Sequence, residues 1–146
     1  MPAITVLCDR VGDVGGAERY WETVLPALAR RGVSVRLLAR EVGDIARFGV
    51  PARALPWADE DGPPSADAAR AVTAELARQR SDAVVTASVF DAAVLDAVRA
   101  ATPRWLARIH DHRAFCPTGD RVFPQFEAPC AASMGNACRA ATLLRG

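Results

Sequence analysis

The sequence predicts an α/β fold: a doubly wound, mostly parallel sheet with strands in the order 3-2-1-4-5. Three observations predict it. Short apolar runs alternate with helix-length amphipathic stretches from Ala3 to Ile109. The first run, Ala3-Ile4-Thr5-Val6-Leu7-Cys8, is almost continuously apolar, as suits a central parallel strand covered on both faces. A glycine-containing turn then joins it to a helical pattern, the start of a βαβ unit whose crossovers are right-handed.

The first strand spans Ala3 to Asp9, and the first helix Gly16 to Arg31. Ala17, Trp21, Val24, Leu25 and Leu28 fall on one face of that helix. Pro26 is expected to kink or split it. Arg30 and Arg31 suit the negative end of the helix dipole, and Gly32 is the expected stop. The second strand is Val33 to Ala39. Glu41 to Phe48 reads as a short helix or an irregular turn, and Ala52 to Leu55 as a short strand. Trp57 to Pro64, with its acidic run and Gly-Pro-Pro, is a loop. Ser65 caps a helix reaching about Arg80, with Ala69, Val72 and Leu76 inward. The fourth strand is Ala83 to Ala87. The next helix carries the stripe Phe90, Ala93, Val94, Ala97, Val98 and Ala101 and ends before Pro103. The fifth strand is Arg104 to Ile109. Beyond Cys116 the chain reads as irregular, and its last residues as a helix cut short at Leu143-Leu144.

In this strand order the chain reverses between strands one and four, which opens a crevice at their carboxyl ends. Three segments are expected there. The turn Val11-Gly12-Asp13-Val14-Gly15-Gly16-Ala17-Glu18-Arg19 lies between a buried strand and a helix N-terminus. Glycines let backbone approach a ligand closely, and the free N–H groups of the first helical turn favour a phosphate. The turn is not a dinucleotide fingerprint, because its glycines do not follow G-x-G-x-x-G. Nor is it a Walker A loop, since no Gly-Lys-Ser/Thr occurs and the chain contains no lysine. An ordinary βα connection explains it equally well on its own. Ser88 follows strand four. Strand five runs into Arg108-Ile109-His110-Asp111-His112. His110 is singled out there: it could hydrogen-bond a sugar hydroxyl or stabilise developing charge near neutral pH. A loop histidine without a role is the plain alternative. His110, Asp111 and His112 make a weak metal set, lacking a third firm ligand, so no metal is assigned.

The chain has 146 residues, 51% of them hydrophobic and 24% charged, which suits one globular domain with a real core. A formal net charge of +1 gives no basic field for nucleic acid. The start lacks the features of a signal peptide, and no stretch approaches the roughly 18 apolar residues of a membrane span. A cytoplasmic location is expected, with peripheral membrane contact left open. Cys8 reads as a small buried apolar residue. Cys116, Cys130 and Cys138 form no C-x-x-C pair and read as thiols in a reducing cytosol, with a metal set or a disulfide left open.

The string Gly15-Gly16-Ala17-Glu18-Arg19 resembles the first loop and helix of the family 4 glycosyltransferases. Leu28-Ala29-Arg30-Arg31-Gly32-Val33-Ser34-Val35 looks like that family's helix-to-second-strand passage. His110-Asp111 with Phe115-Cys116-Pro117-Thr118-Gly119 looks like its His-Asp and Cys-Pro segment. The resemblance covers nearly the whole chain but only the N-terminal half of such an enzyme, which has two Rossmann-like halves, the GT-B architecture. It implies that residues 1–146 are a single Rossmann-like domain, the acceptor-side half. The donor-binding half, with its nucleotide pocket and paired glutamates, is absent from this sequence. The implied reaction is retaining transfer of a sugar, hexosyl-like, from a nucleotide-sugar to an unidentified acceptor, with no cofactor and no metal. Gly15 and Gly16 would lie near the donor phosphates, His110 would reach the donor sugar as the catalytic residue, and Arg19, Ser88 and Asp111 would line the cleft. The implied partners are donor, acceptor and the second half. Homodimerisation through the surface that normally meets that half is left open, and this chain alone is expected to be inactive.

Two other readings stay open on sequence. One is a stand-alone nucleotide- or phosphate-binding module without catalysis, because doubly wound folds host many functions. The other is a small metal or redox protein using Cys116, Cys130, Cys138, His110 and His112.

Overall fold

The computed structural model describes residues 1–11, 16–44, 48–57, 62–108, 122–123 and 128–129. Eight elements build the first of two compact units, Met1–Arg108. They are β1 (Ala3–Val11), α1 (Gly16–Arg30), β2 (Ser34–Val42), β3 (Ala52–Ala54), α2 (Ala66–Arg78), β4 (Ala83–Ala87), α3 (Ala92–Ala101) and β5 (Trp105–Arg108). The sheet order is β3-β2-β1-β4-β5 and every pairing in it is parallel, as the alternation of strands and helices predicts.

The parallel register carries two cores, one on each face. Val6, Cys8 and Val11 of β1 pack with Val35, Leu37 and Ala39 of β2, Ala87 of β4, Phe48, and Trp21 and Leu25 of α1. Leu7, Leu38 and Val84 face the other way, against Ala68, Val72 and Leu76 of α2 and Val94 and Val98 of α3. Successive strand residues point to opposite faces, so one apolar run fills both cores. Cys8 is 3% exposed, in the packing role its place in the strand predicts.

Local chemistry sets the helix ends. Gly32 adopts φ +77°, with its N–H on the Ala29 carbonyl at 3.0 Å and the Val33 N–H on the Leu28 carbonyl at 3.1 Å. That is a Schellman closure, and the left-handed position is where glycine has no steric cost. Ser65 Oγ accepts from the Ala68 N–H at 3.1 Å and caps α2. Pro26 does not split α1, which is one helix from Gly16 to Arg30. Proline removes one ladder bond, and the buried Trp21 and Leu25 hold the turn before it against the sheet.

Several expectations are corrected. β1 and β2 run on to Val11 and Val42, pairing Arg10 with Glu41 and Val11 with Val42. Glu41 and Val42 therefore belong to a strand, not to a helix or turn. Salt bridges explain the extension: Arg40 reaches Asp9 at 2.6 Å and Glu41 at 2.8 Å, and Arg10 reaches Glu41 at 3.2 Å. Phe90 is not part of the α3 stripe; it precedes the helix and is 37% exposed, because Asp91 caps α3 from an extended conformation. On α2 the inward set is Ala68, Val72, Glu75 and Leu76 rather than Ala69, Val72 and Leu76.

Glu75 is an acid 5% exposed on an apolar helix face. Arg53, Arg78 and Arg36 all pair with it. The hydrogen bond from Arg78 holds its carboxyl below the ordinary range against the opposing effect of burial. Arg36 is itself buried. Its Nε and Nη2 donate to Thr5 Oγ1 at 3.1 and 2.9 Å, and its other donors reach the Glu75 and Gln79 carbonyls at the end of α2. Burial lowers the Arg36 pKa and Glu75 opposes that shift.

The second unit is Ile109–Gly146. Its described residues form one antiparallel pair, β6 (Val122–Phe123) with β7 (Ala128–Pro129), inside a stretch expected to be irregular.

Candidate functional site

The β1–β4 pairing is where the strand order reverses, since β2 lies on one side of β1 and β4 on the other. In a parallel sheet all carboxyl ends share one edge, and ligands bind outside that edge at the reversal. Cys8 of β1 is in register with Ala87 of β4, and Ala87 with Arg108 of β5. Ser88 is the next residue after this row. The α1 helix opens at Gly16, after the end of β1 at Val11. Gly16 and Ser88 therefore belong to the same edge of the sheet, as the sequence predicts. Arg19 is in the first turn of α1. Its side chain is exposed and makes no ion pair among the described residues, while its carbonyl accepts from Thr23 Oγ1 at 3.0 Å. Gly15, His110 and Asp111 lie outside the described residues, as do His112, Cys116, Cys130, Cys138, Leu143 and Leu144.

Ser88 has φ +53°. A non-glycine residue in the left-handed region costs on the order of 1 kcal/mol, and such residues cluster at ligand clamps. The strand cannot continue through that conformation, so the chain turns sharply at the edge and buries Val89 beyond it.

The N-termini of α2 and α3 reach the same edge, and their need for an anion is met from within. Asp91 is 3% exposed; its Oδ1 accepts from the Ala93 and Val94 N–H groups at 3.0 and 3.2 Å, and its Oδ2 from the Ser65 N–H at 3.2 Å. One carboxylate thus serves the first turn of α3 and the cap residue of α2. A ligand phosphate has little to gain at α3.

Sequence reading did not single out Tyr20 and Arg108. Trp21 is 4% exposed and anchors α1 in the core; the Tyr20 ring meets it edge-on, with centroids 4.9 Å apart at 76°. The Arg108 guanidinium lies over the Tyr20 ring, its carbon 3.6 Å from the centroid. Arg108 Nε is buried and has no hydrogen-bond partner. A cation over an aromatic face gains about 0.5–2 kcal/mol, against about 1–3 kcal/mol for an unsatisfied buried donor. Nothing in sequence spacing brings residues 20 and 108 together; only the Ala87–Arg108 register places Arg108 on the face that α1 covers.

A cavity of about 370 Å³ lies at the opposite, amino edge, among Leu76, Arg80, Ser81, Thr102 and Arg104. Arg80 and Arg104 follow the C-termini of α2 and α3, where the helix dipole favours cations, so this cavity needs no ligand to explain its charge. Among the described residues no three His, Cys, Asp or Glu side chains converge as a metal site, and no helix is long and apolar enough to cross a membrane.

Residues 14–142 match the model of the family described as Glycosyltransferase Family 4. No protein of curated function is matched.

Proposed function

Because this chain belongs to glycosyltransferase family 4, we propose that it is the acceptor-side half of an enzyme moving a sugar from a nucleotide-sugar to an acceptor hydroxyl, with retention. The bond from the anomeric carbon to the nucleoside diphosphate breaks, and a bond from that carbon to the acceptor oxygen forms. The acceptor proton passes to an oxygen of the departing diphosphate, which leaves as the nucleoside diphosphate. In this reading Gly15 and Gly16 keep the first turn of α1 clear of side chains, so the donor's phosphates and sugar approach its N–H groups. His110 interacts with the donor sugar as positive charge develops at the anomeric carbon, and Asp111, Arg19 and Ser88 line the acceptor side. The nucleotide base and most of the diphosphate bind to a second Rossmann-like half, and closure of the two halves excludes water from the reacting carbon. The reaction needs no metal and no cofactor, and it takes place in the cytoplasm.

The observation that carries this reading is the opening of α1 at Gly16, beside the strand-order reversal and inside the span that matches the family. The test is calorimetric titration of this chain with a panel of nucleotide-sugars, alongside a transfer assay. Weak binding without transfer is expected, because the helix N-terminus offers only a few amide donors. Tight binding or measurable transfer by this chain alone would mean that the donor site is complete without a second half.

A further inference from the structure

Among the described residues Arg108 is a cation without an anion. Its guanidinium has no carboxylate partner there, its Nε–H has no acceptor, and it lies over the face of Tyr20. Two neighbouring arginines on the strands are committed elsewhere, while Arg19 in the first turn of α1 is exposed and has no aromatic face to hold it among the described residues. Arg40 is paired with Asp9 and Glu41, and Arg10 with Glu41. The Tyr20 ring fixes the position of the Arg108 guanidinium, no hydrogen bond among the described residues takes up its terminal N–H donors, and a guanidinium fork suits two oxygens of one oxyanion. The ring that holds it is fixed in turn, since Tyr20 is braced edge-on by the buried Trp21. A mobile surface arginine would spend conformational entropy on every ligand it bound; this one has spent it in folding. Beside it the chain leaves β4 through the left-handed Ser88, next to Ala87, the register partner of Arg108.

We propose that Arg108, held face-on by Tyr20, is the residue through which this chain grips a phosphoryl oxyanion of its substrate. The inference rests on the functional reading above for the identity of that substrate, but not for the chemistry of the ligand. Two sources carry the same chemistry: the diphosphate of the donor, or a phosphate on the acceptor. The first corresponds to a nucleoside diphosphate and the second to a sugar phosphomonoester.

The experiment titrates this chain with uridine and guanosine diphosphates and, separately, with glucose 6-phosphate, by calorimetry at two salt concentrations. Arg108→Gln, Arg108→Lys and Tyr20→Leu are measured alongside. At least one ligand class is expected to bind, more weakly at high salt. Binding should fall at least tenfold in Arg108→Gln and severalfold in both Arg108→Lys, which keeps the charge but loses the fork, and Tyr20→Leu, which keeps the arginine but frees it. The class that loses affinity identifies the source. The melting temperature of Arg108→Gln is expected to stay near that of the parent, because the lost cation–π contact and the removed unsatisfied donor offset each other. Absence of binding by both ligand classes, or unchanged binding in Arg108→Gln, would each overturn the proposal. Phosphoryl binding through Arg108 without transfer in a two-half enzyme would leave it standing while the glycosyltransferase reading failed.

Discussion

The Asp91 carboxylate accepts a hydrogen bond from the Ser65 backbone N–H at 3.2 Å, so the residue that caps α3 also holds the residue that caps α2. The two helices cover one face of the sheet side by side, and both begin at the edge where the substrate crevice is proposed. A single buried acid there sets the position of two helix N-termini and also keeps a competing anion away from them. Asp91→Ala should cost about 2 kcal/mol in a chemical denaturation of this chain, the upper range for loss of a cap, because three backbone donors lose their acceptor. Asp91→Asn should recover part of that loss. A change within about 0.5 kcal/mol, the range of ordinary surface substitutions, would mean that the helices are placed by packing alone.

Ser88 offers a separation of stability from function. Its φ of +53° is strained for any side chain. Ser88→Gly should leave stability unchanged or raise it by up to about 1 kcal/mol by relieving that strain. If the hydroxyl lines the acceptor side, the same variant should lower turnover in an enzyme that carries both halves. Melting curves and a transfer assay on one variant read both effects; lower stability together with unchanged turnover would show that Ser88 serves the turn only.

Acid should weaken the fold through Glu75. Its carboxyl is held below its ordinary value of 4.5, chiefly by Arg78, with Arg53 and Arg36 contributing. The folded state therefore binds this proton less readily than the unfolded chain. The stabilisation is fully present above about pH 4.5 and is lost as the pH falls through the lower folded value. Glu75→Gln should cost about 3 kcal/mol at neutral pH, since it leaves Arg36 buried without its counter-charge. It should also flatten the acid limb of stability against pH. An unchanged acid limb would place the pH dependence in other carboxylates.

Gly16→Val tests the helix opening as a ligand contact. In an enzyme with both halves it should lower turnover strongly while this unit still folds, because the first helical turn is where the donor's phosphates are proposed to approach. Circular dichroism checks the fold and a transfer assay the activity. Wild-type turnover would reduce Gly15-Gly16 to a turn.

His110→Ala, in the same enzyme at saturating donor, should lower kcat and kcat/KM together, as expected for an interaction made mainly in the transition state. A change confined to KM would assign His110 to uniform substrate binding instead.

The sequence by itself determined the sheet. Near-continuous apolar runs along β1, β2 and β4, helix-period stripes between them, and Gly32, Ser65 and Pro103 as punctuation are local signals, and right-handed crossovers leave few ways to connect them. The same local signals placed Gly16 and Ser88 at one edge, because each simply follows a strand. Charge misled at the margins: Arg10, Arg40 and Glu41 read as lying beyond the strands until their partners across β1 and β2 are known. Only the tertiary structure decided which polar groups are buried and what they touch. Glu75 reads as a solvated helix residue until Arg36, Arg53 and Arg78 arrive from β2, β3 and its own last turn. Asp91 falls inside the helix expected from the stripe that opens at Phe90, and neither its capping of α3 nor its tie to Ser65 is legible there. Tyr20 and Arg108 stand 88 positions apart by number, and their stack exists because the β4–β5 register turns Arg108 toward the face that α1 covers. Pattern along a chain reports which face a residue takes; the partner it meets there depends on register and packing between segments distant in sequence.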